Sequence, residues 1–269
     1  MKNMISILTA TYNRSELLSR LYNSLINQTN YNFEWIIVDD GSDDDTEQKV
    51  ENFIRLAKFN IKYIKQLNQG KHAAINKASE YINGEYVVLI DSDDELIPNA
   101  ISIIKDKIEN TIINCELKDN IKDIVGFNFR CLDPDGDFLG ENLTYNKAIV
   151  SNPINMMSIQ SSDSSYVFKA HQFKLNKFPL ISNERFFPEL YIWNKISDCG
   201  NIKYFLDTPI CIVHYQQEGL SSNFIKLLKM SPLGFKMYYK DMITRDPCYM
   251  NKIKYCLRII QCYYFSIGR

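Results

Sequence analysis

Two acidic clusters carry the chemistry this chain could do. Asp91, Ser92, Asp93, Asp94 and Glu95 follow directly on the apolar run Val87–Ile90, and Asp39 and Asp40 follow on Trp35–Val38. An apolar run that ends in acids reads as a buried strand of a parallel sheet. Ligands of open α/β sheets bind outside the carboxyl ends of the strands, so both clusters fall where a ligand should sit. Asp91 and Asp93 place two hard oxygen donors two residues apart. Mg²⁺ and Mn²⁺ take one or two carboxylates together with substrate phosphates, and this pattern suits them. One cluster could then hydrogen-bond a base or ribose while the other holds a metal on a pyrophosphate. The plainer alternative is a solvated acidic turn ahead of a helix at Pro98. The acids lack the central Gly and twelve-residue spacing of an EF-hand, no GxGxxG follows the first strand, and no GxxxxGK[ST] occurs.

The elements that must hold these acids alternate. Ile5–Leu8 reads as strand one, with Thr9–Arg14 as the loop after it. A helix over 15–27 carries Leu17, Leu18, Leu21, Leu25 and Ile26 at helical spacing, capped by Asn13 or Ser15. Strand two, a helix over 46–58, a strand at Ile61–Ile64 and a helix over 70–82 lead to the strand Tyr86–Ile90. Strands alternating with helices imply βαβ units with right-handed crossovers.

Composition narrows the class. The chain has 269 residues and a net charge of −1, so no global field steers it to nucleic acid or membrane. Its seven cysteines include no CxxC, which argues for reduced thiols in a cytosolic protein rather than zinc or a disulfide framework. The apolar part of the first fourteen residues is too short for a signal peptide, and no run approaches the ~20 residues of a membrane span.

Ile7–Arg14, Ser24-Leu25 with Gln28-Thr29, Trp35–Thr46, Asn68–Asn76 and Gly84–Tyr86 running into Asp91–Asp94 together resemble the family 2 glycosyltransferases, in order and at family spacing over about the first hundred residues. The resemblance implies the α/β GT-A fold, a Rossmann-like, mostly parallel central sheet with helices on both faces. It implies an inverting, bacterial-type enzyme of polysaccharide or glycoconjugate assembly. The donor would be a nucleotide-diphosphate sugar, most readily a UDP-sugar, with Mn²⁺ or Mg²⁺ on its diphosphate. The acceptor would be a glycan or lipid-linked hydroxyl. Tyr12 matches the residue that stacks on the base, beside Thr11, and Asp40 the carboxylate on the base edge. Asp91 and Asp93 match the DxD pair, Asp93 as the direct metal ligand and Asp91 on ribose or a metal-bound water, with Ser92 between them. Lys71 matches a basic position near ribose or diphosphate. Plainer roles stand beside these: Tyr12 as an aromatic plug, Lys71 as a solvated lysine, Asp39 orienting its strand, Asn76 bonding neighbouring backbone, and His72 at the surface or behind the site.

In the second half, a helix over 97–110, a strand at Ile124–Leu132, a turn at Asp133–Gly136, an aperiodic stretch over 142–165 and a strand at Tyr166–Lys169 precede Pro188, which suits a first helical turn. Glu189 then sits at that helix N-terminus. An inverting transfer needs one carboxylate to take the acceptor proton. The family commonly supplies it from a Glu-Asp pair here, but this chain has Glu189-Leu190. The base is therefore Glu189, or Glu184, or an acid elsewhere. Ile202–Leu206 and Ile210–Tyr215 read as two strands about a Thr208-Pro209 turn, and residues 214–221 resemble the family's closing loop, which implies that His214 could approach the diphosphate or metal. Residues 1–222 form the transferase domain, with a donor half at 1–97 and an acceptor half at 98–222. Residues 223–269 form a basic, aromatic, helical extension that reads as a membrane-surface or partner contact, or as helices packed on the domain. No nucleic-acid motif accompanies that charge, and the location expected is the cytoplasm, at the inner face of the membrane. The oligomeric state stays open. Two other readings remain. A sugar-nucleotidyltransferase would need a Gly-rich, Arg-containing loop after strand one, which Thr9–Arg14 is not. A nucleotide-binding homologue without catalysis is kept open by Leu190.

Overall fold

Strands β1 (Ile5–Thr11), β2 (Phe33–Asp39), β3 (Asn60–Lys65) and β4 (Tyr86–Leu89) pair in parallel, in the order β3-β2-β1-β4. They form one half of a nine-stranded sheet in a computed structural model that describes residues 3–116, 124–141, 147–160, 162–216 and 224–267. Helices α1 (Ser15–Ile26), α2 (Thr46–Leu56) and α3 (Lys71–Ala78) connect these strands, and a 3-10 turn over Ser79–Tyr81 leads into β4. β5 (Glu95–Leu96), α4 (Ala100–Glu116), β6 (Ile124–Leu132), β7 (Ile149–Ser151), α5 (Pro153–Met156), β8 (Ser164–Lys169), α6 (Ala170–Leu175), α7 (Leu190–Ser197) and β9 (Asn201–Ile212) follow. The sheet continues β4-β8-β6-β9-β5, with β7 on β9. β1, β2, β3, β4, β6 and β9 run one way; β8, β5 and β7 run against them.

Strand periodicity sorts the core into two layers. Ile5, Ile7, Trp35, Ile37 and Val88 pack under Leu18, Leu21 and Leu25 of α1, Val50 and Phe53 of α2, and Ile101, Ile104 and Ile108 of α4. Leu8, Ile36, Val38 and Val87 face Ala74 and Ala78 of α3, Phe173 of α6, and Ile192, Trp193 and Ile196 of α7. Both faces of the sheet are covered, as the near-continuous apolar strands require.

The structure departs from the sequence reading in several places. β1 runs to Thr11 rather than stopping at Leu8, because Thr9, Ala10 and Thr11 stay in register with Ile37, Val38 and Asp39. Neither Asn13 nor Ser15 caps α1 through its side chain. Asn13 is left-handed at φ 49°, and Asp44 from the next βα loop accepts the Ser15 N–H instead, at 3.1 Å. The two strands expected about Thr208-Pro209 are one strand. Both halves of β9 pair with β6 in the same direction, and the register slips between Phe205 and Pro209. A bulge accommodates a residue without an N–H where a hairpin would have reversed the chain. β7 and α5 lie within the stretch read as aperiodic.

Residues 224–267 form three helices, α8 (Phe224–Met230), α9 (Pro232–Arg245) and α10 (Tyr249–Ser266). They share an apolar cluster of Leu227, Leu228, Phe235, Tyr239 and Cys262 with Phe186 packed against it. Glu184, the alternative base, serves here. Its Oε1 accepts from Leu233 N and its Oε2 from Gly234 N, both at 2.8 Å, and it is buried. It holds the first turn of α9, where backbone N–H groups lack helical partners and the dipole favours an anion. Among the described residues no two cysteines are joined and no helix is long and apolar enough to cross a membrane. Replacing Glu184 by Ala strands one buried and one part-buried donor and is expected to lower the unfolding free energy by roughly 1–3 kcal/mol in a denaturant titration; a loss under about 0.5 kcal/mol would show that water replaces the carboxylate without penalty.

Candidate active site

The site starts from the turn into α3. Asp40 lies one residue past β2 and is buried. Its Oδ1 accepts from Gln66 Nε2 at 2.7 Å and Gln69 N at 2.9 Å, and its Oδ2 from Gly70 N at 2.7 Å. Gly70 has φ +95°, and a Cβ there would stand 2.1 Å from the Arg185 carbonyl oxygen. Only glycine meets both demands. Asp40 therefore ties the end of β2 to the start of α3, and three of its acceptor positions are already filled. Asp39 is structural: Ser42 N donates to Oδ1 at 2.7 Å and Tyr63 OH to Oδ2 at 2.6 Å.

With the turn fixed, Lys71 opens α3 and reaches across the sheet edge. Its Nζ lies 2.6 Å from Asp91 Oδ1 and 2.8 Å from Glu189 Oε1. Burial alone would push the ammonium pKa down, but the two carboxylates outweigh it and push it up. Asp91 follows β4, and Glu189 is the N-cap of α7, so one cation joins the end of β4 to the start of α7.

Asp93 is paired with Arg14 Nη1 at 3.1 Å, and Arg20 Nη1 donates to its backbone oxygen at 3.1 Å. Asp94 Oδ1 accepts from His214 N at 3.1 Å. Burial and the Asp91 charge push the Asp94 carboxyl up to about 8. Ser92 is buried between the two aspartates. At the strand end Thr11 is buried, and its hydroxyl has no partner among the described residues. Tyr12 is 46% exposed, an open ring beside it.

Two expectations are corrected. His214 does not turn its ring to the DxD pair, because Nε2 is 2.7 Å from Glu95 Oε1. Glu184 caps α9, so of the two glutamates only Glu189 reaches Lys71. Of the two places open to His72, it takes the one behind the surface, buried against Phe178 and Phe187, and burial lowers its pKa. Asn76 bonds backbone at both ends of its amide, to Phe178 O and from Phe178 N, each at 2.8 Å. Asp94 and Glu95 belong to the acidic cluster read from the sequence, whereas Arg14 and Arg20, which pair with it, do not. Arg14 and Arg20 carry no local signal, since only the docking of α1 beside β5 brings them to the acids.

Beside Glu189 a cleft of about 290 Å³ opens, lined among others by Met156, Gln160, Asp163, Tyr166 and Trp193. Both amide atoms of Gln160 are buried without a partner among the described residues. A buried amide without partners is costly.

Strand order, a two-faced sheet and acids at the carboxyl ends define the GT-A class of fold. A solved structure of Staphylococcus aureus TarS residues 1–349, in complex with UDP-GlcNAc, superposes with a TM-score of 0.65 at 18% identity, over 98% of this chain and 72% of that one. The family model described as glycosyl transferase family 2 matches residues 6–160. The chain belongs to that family and is a glycosyltransferase. It is 28% identical over 233 residues to the Escherichia coli UDP-Glc:alpha-D-GlcNAc-diphosphoundecaprenol beta-1,3-glucosyltransferase WfgD, covering 84% of this chain and 83% of that protein. It is 35% identical over 105 residues to the Campylobacter jejuni GalNAc(5)-diNAcBac-PP-undecaprenol beta-1,3-glucosyltransferase, where the shared stretch spans 38% of this chain and 34% of that protein.

The ion-pair chain sets its own test. Lys71→Met should lower the melting temperature by stranding two carboxylates, and Asp91→Asn in the same chain should restore part of the loss. The double-mutant cycle is expected to show a coupling of about 0.5–3 kcal/mol; additive effects would mean that the pair is solvent-screened.

Proposed function

We propose that this glycosyltransferase moves a sugar from a UDP-sugar to a hydroxyl of a glycan carried on a lipid diphosphate, with inversion at the anomeric carbon. The observation that carries the reading is the Lys71 bridge: it sets the acid that ends β4 and the carboxylate at the start of α7 within one cation's reach of each other. A donor diphosphate beside Asp91 and an acceptor hydroxyl beside Glu189 would then meet at bonding range. The names of the Escherichia coli and Campylobacter jejuni relatives support the undecaprenol-diphosphate acceptor class, and the former also supports the UDP donor.

In this reading Tyr12 offers its open ring to the base, and Thr11 and the remaining acceptor position of Asp40 Oδ2 offer polar contacts to the nucleoside. Lys71 leaves Glu189 for the diphosphate as the donor enters. Glu189 takes the proton of the acceptor hydroxyl while that oxygen attacks the anomeric carbon from the face opposite the diphosphate. The bond from the anomeric carbon to the diphosphate oxygen breaks, and its electron pair leaves with UDP. Gln160 and the cleft wall orient the acceptor sugar.

The donor set fits a divalent ion held partly by substrate. Among the described residues no group of three His, Cys, Asp or Glu side chains could hold one alone. The acids of this stretch nonetheless crowd one another: beside burial, which is the larger cause, the Asp91 and Asp93 charges also raise the Asp94 carboxyl. Asp93 and Asp91 would hold Mn²⁺ or Mg²⁺ together with diphosphate oxygens, and the ion would neutralise charge on the leaving group.

Calorimetry with UDP, GDP, dTDP and CDP, each with and without Mn²⁺, tests the donor. UDP is expected to bind in the presence of metal, and Asp93→Ala to remove the metal-dependent part; equal binding by that variant would move the metal site elsewhere. Glu189→Gln is expected to keep UDP affinity while transfer falls by about 10²–10⁴-fold. Undiminished transfer would assign the base to another group.

A further inference from the structure

α10 hides one face and displays another. Cys262 is buried beneath it, and Tyr255, Ile259 and Phe265 pack towards α8 and α9. On the opposite side Met250, Ile253, Leu257, Ile260, Tyr264 and Ile267 recur at alternating three- and four-residue steps, each between 41% and 82% exposed. At 3.6 residues per turn they form one outward ridge. Tyr249 and Tyr263, also exposed, widen it along one flank.

The charges beside the ridge have one sign. α10 contains no acid. Lys254 is exposed on one flank, and on the other Lys236 Nζ stands 3.8 Å over the Tyr263 ring, with the exposed Lys240 one turn further along α9. The two acids of residues 224–267 are both engaged inside the bundle. Asp241 holds Lys195 at 2.9 Å and Arg245 at 2.6 Å. Asp246 accepts from Cys248 N, Asn251 Nδ2 and Tyr255 OH. A second copy of this face would bring lysine flanks together with no carboxylate to answer them. The partner that answers both the ridge and its flanks is apolar inside and anionic at its surface.

We propose that the Met250–Ile267 ridge, between its lysine flanks, docks the chain on an anionic lipid bilayer, with the ridge side chains at the acyl boundary and the lysines at the headgroups. The importance of this surface rests on the lipid-linked acceptor proposed above. The geometry suits that acceptor: α9 is tied to α7, which carries Glu189, through Lys195–Asp241 and through Arg245, whose Nη1 and Nη2 reach Asp198 at 2.6 and 2.7 Å. Docking would thus fix the acceptor half, and the base with it, relative to the membrane.

The test floats the 269-residue chain with acceptor-free vesicles, either phosphatidylcholine alone or equal parts phosphatidylglycerol and phosphatidylcholine. Binding is expected only to the mixed vesicles and to weaken with salt. Ile253→Asp with Ile260→Asp should weaken it at least about tenfold, and Lys240→Glu with Lys254→Glu should do likewise. All four positions are solvent-facing, and unchanged circular dichroism and UDP affinity would show that fold and donor site are intact. Absence of wild-type binding to mixed vesicles, or variants that bind as wild type does, would overturn the proposal. So would a wild-type dimer by light scattering that the isoleucine variant splits without loss of vesicle binding, since the ridge would then be a seam between copies. Because the vesicles carry no acceptor and UDP affinity is read separately, a failed docking proposal and a failed transferase reading give different results.

Discussion

Everything at the site hangs on the Asp40 carboxylate. It closes the turn between β3 and α3 by accepting two backbone N–H groups and one side-chain amide. Buried charge is tolerated here because each donor is fixed and charge-assisted. The turn brings Gly70 so close to the Arg185 carbonyl that no side chain fits. That approach seats the segment carrying Glu189 against the segment carrying Lys71. An ion pair between residues more than a hundred apart in sequence follows from a single carboxylate at the end of β2.

Around that frame the charges are arranged by sharing. Lys71 serves two carboxylates, Arg14 serves Asp93, and Glu95 is held by the His214 ring with Arg20 nearby at 3.8 Å. No member stands in bulk water or in a dry interior, so the pairs are neither worthless nor prohibitive. In the proposed reaction such a network would admit a diphosphate and a cation by exchanging partners, not by rebuilding the fold. Leu190 takes the position where the family resemblance leads one to look for an acid. It packs with the lower apolar layer, and Glu189, one residue earlier at the helix N-terminus, is the carboxylate that meets the lysine.

The carboxy-terminal helices are joined physically to the segment that carries α7. Glu184 caps α9 from the segment that leads to α7, and Phe186 packs into the helical cluster. Lys195, Asp198, Asp241 and Arg245 then lace α7 to α9. The boundary drawn at 222/223 separates a change in composition, from mixed to basic and aromatic, and contacts cross it at each of these points.

The parallel half of the fold was legible in the sequence. Apolar runs that end in acids, separated by helices of 3.6-residue period, leave little choice of topology, because local pattern and long-range packing demand the same thing there. Asp91 and Asp93 could be placed at the carboxyl edge of the sheet for the same reason, position at a strand end being a local property, whereas Tyr12 was placed by the family resemblance. The tertiary structure alone decided what each acid is paired with. Glu184 and Glu189 stand five residues apart, and although Pro188 marks Glu189 as the one at a helix start, nothing near either shows what it will pair with. One is buried by the N–H groups of a helix fifty residues away, and the other is drawn to a lysine more than a hundred residues back. The bulge through Pro209 was illegible for a related reason, since a proline in an apolar run signals a turn unless the partner strand continues past it. Sequence determines which groups can carry charge and where strands end; only folding decides which charges are spent on structure and which are left facing the substrate, because the pairing energy comes from residues that the chain brings together last.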